Sequence, residues 1–535
     1  MTPPAAAPRL RPELLLALVV VAAIAHALLY DYPFEDSYIT YRYAENLSRG
    51  VGLVYNAGEI VEGFTSFGWT VLLAGVAWVG LPVVAVSRGL SLLCGLGVLG
   101  VTWMLARRWL VPADPGRRDA WTVAPVLVVA ANGTWAYYAM TGMETMLFLL
   151  LVLVGALVAT DAVAGRRSSW LLGVAFGVAS LVRPEGAGYF AALVAALLVE
   201  RDARPVAARA VLAFLVVFVP YFAWRWHHFG WLLPNTYYAK ASFSAALALR
   251  GARQLECYAT MHLFWLVPPA LLVLVRRDGW ARGWRIAAAL VAAAAVDMVV
   301  VGGDTFYFYR FLLPAMPAGA VLLTGAAVAL AEHKDASRRR ALGLALVLFA
   351  ALTFVAELRP VVSLTTRRAK SWWQSALEVA AIDEGYVLVG RWLRDSFPSD
   401  ATLATNAAGI VPYFSGLRTI DMLGLNDVHI AHAPVVLGHL AAGHEKHDGR
   451  YVLSRRPDVI LVGLPVLEDR PVGPAGIEQA VARWFPNLPG DEELVNAPGF
   501  RESYVPISVR VTDQRWLLLF VRRDDPRTAA FGAGG

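Results

Sequence analysis

The chain has 535 residues, of which 58% are hydrophobic and only 16% charged, with a mean hydropathy of +0.53. Soluble domains carry about a quarter charged residues, so this composition excludes an ordinary soluble enzyme, a disordered chain and a small disulfide scaffold. It points to a polytopic membrane protein of modest net charge, +6. Two cysteines, Cys94 and Cys257, form neither a disulfide framework nor a zinc-type pattern.

A membrane-spanning helix needs about 17–25 mainly apolar residues. The first candidate is 14–29. Arg9 and Arg11 precede it and place the N-terminus in the cytoplasm. Ala25-His26-Ala27 resembles a signal cleavage site, but the many later apolar segments favour an uncleaved anchor. Further candidates are 89–106, 121–137, 143–163, 170–182, 186–199, 206–226, 260–275, 286–301, 312–331 and 341–357, about eleven spans in all. An odd number puts the C-terminus outside.

Segment 67–79 decides the topology. If it lies at the outer interface, Arg107/Arg108/Arg117/Arg118, Arg166/Arg167, Arg201/Arg204/Arg209, Arg276/Arg277/Arg282/Arg285 and Lys334/Arg338/Arg339/Arg340 all fall on the inner side. One choice satisfies the positive-inside rule at every dense basic cluster between spans. The basic residues therefore set topology and are not a nucleic-acid footprint. The predicted fold is an α-helical polytopic membrane protein with a small C-terminal α/β extracytoplasmic domain. Residues 1–358 form the membrane part, with a first outer loop at 31–66 and an interfacial helix at 67–79. Residues 359–535 form the outer domain, read from helix-like 382–397 and strand-like 402–405, 459–462 and 516–521.

The first outer loop is the most informative stretch. Glu35-Asp36 stands just beyond the first span, followed by Ser37-Tyr38-Ile39-Thr40-Tyr41-Arg42-Tyr43-Ala44. A carboxylate at a membrane surface is a candidate general base, and two acids opening a helix also suit its dipole. Both readings stand at this point. Glu62, between Val61 and Gly63, is a candidate site wall. On other outer ends lie Arg183-Pro184-Glu185-Gly186, Pro234-Asn235-Thr236-Tyr237-Tyr238-Ala239-Lys240, Gly302-Gly303-Asp304 and Tyr309-Arg310. Arg42, Arg183, Lys240 and Arg310 stand among acids and aromatics on the face that normally carries fewest bases. A lipid-linked phosphate is the natural counter-charge, because arginine offers forked donors to phosphate oxygens.

Glu144 opens a span at Thr141-Gly142-Met143-Glu144-Thr145, where an acid is either paired, functional or a helix-start residue. Trp69, Trp135, Tyr137, Tyr138, Tyr237, Tyr238, Tyr307 and Tyr309 cluster at outer interfaces as belt anchors, some able to stack on sugar rings. The tail histidines His429, His432, His439, His444 and His447 fit no closed zinc template. Asn406-Ala407-Ala408-Gly409 and Ile420–427 look like strand-to-turn segments, with Asp421 within reach of the membrane site as one option. A Walker loop, a dinucleotide fingerprint and a Ser-His-Asp signature are all missing.

These residues resemble a known pattern. Glu35–Ala44 with Gly50-Val51-Gly52-Leu53-Val54-Tyr55-Asn56 and Gly58-Glu59-Ile60-Val61-Glu62-Gly63-Phe64-Thr65-Ser66 resemble the first outer loop of bacterial C-type (GT-C) glycosyltransferases. Within that superfamily they are most similar to arabinofuranosyltransferases of the AftB type. Thr141–Thr145, Arg183–Gly186, Leu233–Lys240, Tyr309–Pro314 and Ile420-Asp421-Met422-Leu423-Gly424-Leu425-Asn426-Asp427 are similar to further family motifs.

The resemblance implies transfer of a sugar, arabinofuranose being favoured, from a polyprenyl-phosphate donor to a cell-envelope glycan or glycoprotein acceptor, on the outer side of the bacterial plasma membrane. It makes Asp36 the base, with Glu35 as its partner where the family more often has Asp. Arg42, Arg183, Lys240 and Arg310 become phosphate ligands. Glu62, Glu144, Glu185, Asn235, Tyr237, Tyr238, Asp304, Tyr309 and Trp69 become substrate contacts. No metal ligand is assigned, and a divalent cation stays open. A GT-C transferase of mannose or another hexose, and a lipid-linked sugar flippase, are the alternatives. Against the flippase, no repeat is seen and charges within spans are few, Asp297 being the exception.

Overall fold

The computed structural model describes residues 12–110, 119–242, 244–304, 309–331, 336–358, 360–362 and 367–526. Arg9, Arg11, Arg117, Arg118, Tyr307 and Lys334 lie outside these.

Among the described residues, four helices are long and apolar enough to cross a membrane: Val83–Trp109, Thr145–Val163, Arg201–Phe229 and Arg282–Val301. Shorter apolar helices, Pro12–Leu28, Trp170–Val182, Gly186–Leu198 and Ala315–Ala331 among them, pack with these into one bundle. The chain is a multi-pass membrane protein. Its core is lined by small residues such as Ala156, Ala159, Ala287 and Ala294, which let helices approach closely where lipid offers no hydrophobic driving force.

Two expected spans are broken. Segment 121–137 is two short helices, Ala124–Ala130 and Gly133–Met140. Asn132 makes the break by accepting the Trp135 amide at 3.3 Å and starting the second helix as its N-cap. Segment 260–275 is the second arm of a pair, Ala245–Met261 and Phe264–Asp278, bent by 88°. Pro268 and Pro269 can only open a new helix, and Leu263 turns the corner at φ 53°. The stretch expected to be outer loop, 227–259, therefore holds two helices, Asn235–Lys240 and Ala245–Met261.

The segment expected to be the first outer loop is helix Glu35–Ser48, a run of turns, and helix Phe67–Trp78. Glu35 and Asp36 occupy the first turn of their helix, where the dipole favours acids. Trp69 is buried and donates its indole N–H to the Gly142 carbonyl at 3.1 Å.

After a two-stranded hairpin, Pro360–Val362 with Arg367–Ser371, comes helix Trp372–Ser396 and a five-stranded sheet. Its order is Arg418–Asp421, Thr402–Thr405, Val459–Leu461, Arg515–Arg522, Tyr504–Thr512; the first two pairings are parallel and the rest antiparallel. Leu403, Val459 and Leu461 face Tyr386, Val389 and Leu393 on one side, while Ala404, Ile460 and Phe520 meet Val452, Leu494 and Phe500 on the other. Burial on both faces explains why Val459–Leu461 reads as an unbroken apolar run.

The carboxyl ends of the parallel strands point toward the membrane helices. In open α/β sheets, the loops after those ends carry the ligand site. Here they are 406–409 and 422–427. Two glycines permit the approach: a Cβ at Gly409 would collide with the Glu35 carbonyl oxygen, and one at Gly63 with the Asn426 side chain.

Candidate functional site

Two cavities meet at Asp36. The larger, about 310 Å³, opens among the ends of the membrane helices nearest the sheet domain; Asp36, Glu144, Arg183, Glu185, Tyr237, Lys240 and Arg310 are in its wall. The smaller, about 150 Å³, lies between helix Glu35–Ser48 and the sheet domain, with Glu35, Asp36, Lys240, Asp383, Asn406 and His444 around it. Asp36, Ile39, Lys240 and Leu425 border both.

The larger cavity has an ordered charge pattern. Arg183 donates to Glu144 at 2.9 Å and to Glu185 at 3.1 Å, with its guanidinium over Phe311 at 5.1 Å. Burial works against these charges, but the mutual attraction outweighs it, holding Glu185 below the ordinary carboxylate range. Arg310 pairs with Asp304 at 3.0 Å and stands 3.6 Å from the Asp36 carboxylate. Burial opposes its charge, yet Asp304 and then Asp36 hold it firmly protonated. The side chain of Gln254 fixes Asp304 through its backbone, at 2.9 and 2.8 Å.

Lys240 differs from both arginines. Among the described residues it forms no hydrogen bond or ion pair. Burial pulls its pKa down, and the nearby Asp36 pulls it back up. A cation without a fixed partner beside a carboxylate is available to an incoming anion.

Several residues expected at the site lie elsewhere. Arg42 does not reach either cavity. Its guanidinium donates to the carbonyls of Tyr55 (2.8 Å), Pro412 (2.5 Å) and Leu417 (2.8 Å) and to Asn56 (3.2 Å), so its donors join the first loop to the sheet domain. Glu62 forms a buried fork with Arg225, at 2.9 and 2.6 Å, and burial raises its pKa to about 6 against the pull of that arginine. Asn235 donates to the carbonyls of Gly424 and Leu425 at 2.9 and 3.0 Å, holding the loop after the edge strand. Tyr238 packs on His432 with ring centroids 4.3 Å apart. Tyr309 is buried against Tyr258 at φ 52°, and Trp69 is buried behind Gly142.

Glu35 borders the smaller cavity, but both its oxygens are engaged. They accept the amides of Gly409 at 2.6 Å and Ile410 at 2.8 Å, and burial, outweighing those bonds, lifts its pKa to about 7. Asp421 turns its carboxylate into its own loop, accepting from the Leu423 amide and from Asn426; burial raises it to about 6. Leu423 and Leu425 of that loop reach the cavities instead.

Sequence reasoning did not single out Asp383, which accepts the Glu35 amide at 3.1 Å, or Arg225. Their neighbours in sequence carry no signal of either contact. Among the described residues, no group of three or more His, Cys, Asp or Glu is placed to hold a metal ion.

The helical bundle, the helix Glu35–Ser48 carrying the acids and the sheet domain together make a GT-C fold. The structure of ArnT from Cupriavidus metallidurans bound to undecaprenyl phosphate superposes with a TM-score of 0.56 at 15% identity, covering 95% of this chain and 97% of that one. The Archaeoglobus fulgidus oligosaccharyltransferase tethered to an acceptor peptide gives 0.51 at 10% identity, over 95% and 74%. By sequence, the terminal beta-(1->2)-arabinofuranosyltransferase of Mycobacterium tuberculosis is 31% identical over 293 residues, 50% of this chain and 46% of the relative. That of Corynebacterium glutamicum is 27% identical over 319 residues, 52% and 46%. The chain thus spans about half the length of the curated relatives it matches. Residues 377–520 match a family model described as a domain of unknown function, DUF8728.

Proposed function

We propose that the chain is a glycosyltransferase of the bacterial plasma membrane that transfers arabinofuranose from a polyprenyl phosphate to a cell-envelope glycan, with residues 1–358 forming the membrane part and residues 359–535 the outer domain. The site and the outer domain face away from the cytoplasm. The observation that carries this reading is the position of Asp36 at the junction of two cavities, one lined by cations and the other enclosed by the sheet domain. The named relatives support the sugar, and the lipid in the ArnT structure supports the donor class.

In this reading the donor's phosphate lies in the larger cavity and its lipid follows the apolar grooves between helices. The acceptor enters the smaller cavity. Asp36 takes the proton of an acceptor hydroxyl as its oxygen bonds the anomeric carbon. The bond from that carbon to the phosphate oxygen breaks on the opposite face, so configuration inverts. The leaving polyprenyl phosphate takes the electron pair, and Lys240, Arg310 and Arg183 offset the charge it gains. Glu35 and Asp383 position the helix that carries the base.

The test is transfer in membranes given labelled decaprenyl-phosphoryl-arabinose and an arabinan acceptor. Wild type transfers the label, and Asp36→Asn lowers turnover about a hundredfold or more. Label accepted only from a mannose or other hexose donor reassigns the sugar. Donor crossing sealed vesicles without transfer overturns the enzyme reading.

A further inference from the structure

The smaller cavity contains a histidine that the transfer chemistry above does not use. His444 sits at the tip of a loop, 436–447, that folds back from the sheet domain onto the outer helix Ala245–Met261. The loop is built, not slack. The Glu445 carboxylate accepts the amides of Gly438, His439 and Leu440 at 2.7, 2.7 and 2.9 Å. Its other oxygen accepts from Arg250 at 2.8 Å, and Arg250 also donates to the carbonyls of Gly302 and Leu440. Gly443, at φ +79°, lets the chain turn against Lys240, whose Cε would lie 3.1 Å from any Cβ there.

The ring's tautomer follows from its contacts. Nδ1 lies 3.2 Å from the Ala442 carbonyl. A carbonyl only accepts, so Nδ1 carries the hydrogen and Nε2 of the neutral ring carries a lone pair. Among the described residues Nε2 has no partner, and the side chain is part of the cavity wall beside Asp36 and Lys240.

We propose that His444 is the acceptor-positioning residue of this cavity: its Nε2 accepts a hydrogen bond from one hydroxyl of the acceptor sugar and thereby presents a second hydroxyl to Asp36. This rests on the transferase reading above. A polyol ring offers adjacent hydroxyl donors, and the cavity sets two acceptors side by side for them, the Asp36 carboxylate and the His444 imidazole. Orientation of this kind lowers the barrier without taking part in bond making. The ring stays neutral for physical reasons. Burial and then Lys240 push its pKa down, against the Ala442 bond, Asp36 and Glu445. Glu35, Asp383 and Tyr386 are the other ionisable groups around the cavity.

The experiment uses the full chain in detergent with the Asp36→Asn change, so that both ligands bind without turnover. Binding of a synthetic arabinofuranosyl oligosaccharide and of decaprenyl phosphate is measured separately. His444→Phe is expected to weaken the oligosaccharide roughly tenfold and leave decaprenyl phosphate unchanged. His444→Gln, whose amide oxygen replaces the Nε2 lone pair, is expected to restore most of the loss. Oligosaccharide binding should also weaken as pH falls below the ordinary histidine range, and this fall should vanish in His444→Gln. Unchanged oligosaccharide affinity in His444→Phe overturns the proposal. So does equal loss of both ligands, because that marks a loop held in shape and nothing more. Wild-type transfer of labelled arabinose, run alongside, tests the transferase reading independently: intact binding effects with no transfer leave His444 in place and remove the enzyme.

Discussion

Glu35 and Arg42, seven residues apart on one face of helix Glu35–Ser48, hold opposite ends of the short helix Ile410–Ser415. The Glu35 carboxylate accepts the amides at its start. The Arg42 guanidinium donates to the Pro412 carbonyl in its last turn and to Leu417 just beyond. Each charge meets the helix end whose unsatisfied groups and dipole it complements. The Tyr38 ring fills the space between them, 5.2 Å from Tyr413 and 5.5 Å from Phe414. Asp36 is left as the acid of the pair that faces both cavities. The clamp therefore fixes the helix that carries Asp36 to the domain that closes the smaller cavity.

Breaking the clamp should loosen the domain before it affects chemistry. Arg42→Ala removes several charged hydrogen bonds and leaves carbonyls buried, at a cost of about 2 kcal/mol or more. The expected result is faster cleavage by added protease in the 397–402 region, with decaprenyl phosphate binding unchanged. Loss of lipid binding together with unchanged proteolysis would return Arg42 to the phosphate site.

The pH dependence of stability follows from the raised carboxyls. Glu35 rises from 4.5 to about 7, and Asp491 from 3.8 to about 7, burial being the first cause for each. Asp491 is buried and accepts from Asn406 and the Gly463 amide. A group whose folded pKa exceeds its unfolded value binds its proton more tightly when folded. Its contribution is fully favourable below about pH 4 and is lost as pH rises through about 7. The melting temperature should therefore fall by several degrees between pH 5 and pH 8. Asp491→Asn, which cannot ionise, should flatten that slope. A slope unchanged in the variant would show that Asp491 does not titrate in this window.

The buried pair of Glu62 and Arg225 provides a separate contrast between structure and chemistry. Each side chain is 4% exposed. Removing one member of such a pair strands the other, at a cost of about 3–5 kcal/mol. Glu62→Gln is expected to lower the midpoint of thermal unfolding while the donor KM of the surviving enzyme stays within about twofold of wild type. A raised donor KM with unchanged stability would place Glu62 in the substrate wall after all.

Much of the larger cavity's charged lining was legible because charge is conspicuous in an apolar chain. Asp36, Glu144, Arg183, Glu185, Lys240 and Arg310 stand out against their neighbours, and the structure gathers all six around one cavity. What could not be read was direction. Arg42 lies six residues after Asp36, yet helix geometry turns it a different way, and its partners at 412 and 417 are hundreds of residues distant. Asn235 sits in as distinctive a motif as Tyr237, but its amide faces the carbonyls of Gly424 and Leu425. The breaks at Asn132 and Pro268-Pro269 were hidden for another reason: apolar runs show where a segment prefers lipid, whereas caps and prolines decide whether it stays straight. The sheet domain was read correctly in kind from its short apolar runs, and segment 420–427, read as strand-to-turn, is the end of strand Arg418–Asp421 and the loop after it; strand Tyr504–Thr512 was not singled out, because polar residues such as Ser508 and Arg510 interrupt its apolar pattern.

Lys240 and Arg183 should respond to substitution in opposite ways, although both border the larger cavity. Arg183 is divided between Glu144 and Glu185, and Arg183→Met leaves two acids without a counter-charge. Lys240 has no such commitment, and Lys240→Met removes a cation that only an incoming anion would use. Hydrogen bonds to charged groups are worth about 1.5–3 kcal/mol. Lys240→Met should therefore raise the donor KM roughly ten- to a hundredfold with the melting temperature within a degree or two of wild type. Arg183→Met should lower the melting temperature first. Donor titrations at fixed acceptor, beside thermal unfolding of the same preparations, separate the two. If Lys240→Met melts early and binds donor normally, the free ammonium serves packing, and the phosphate must be held by Arg310 and Arg183.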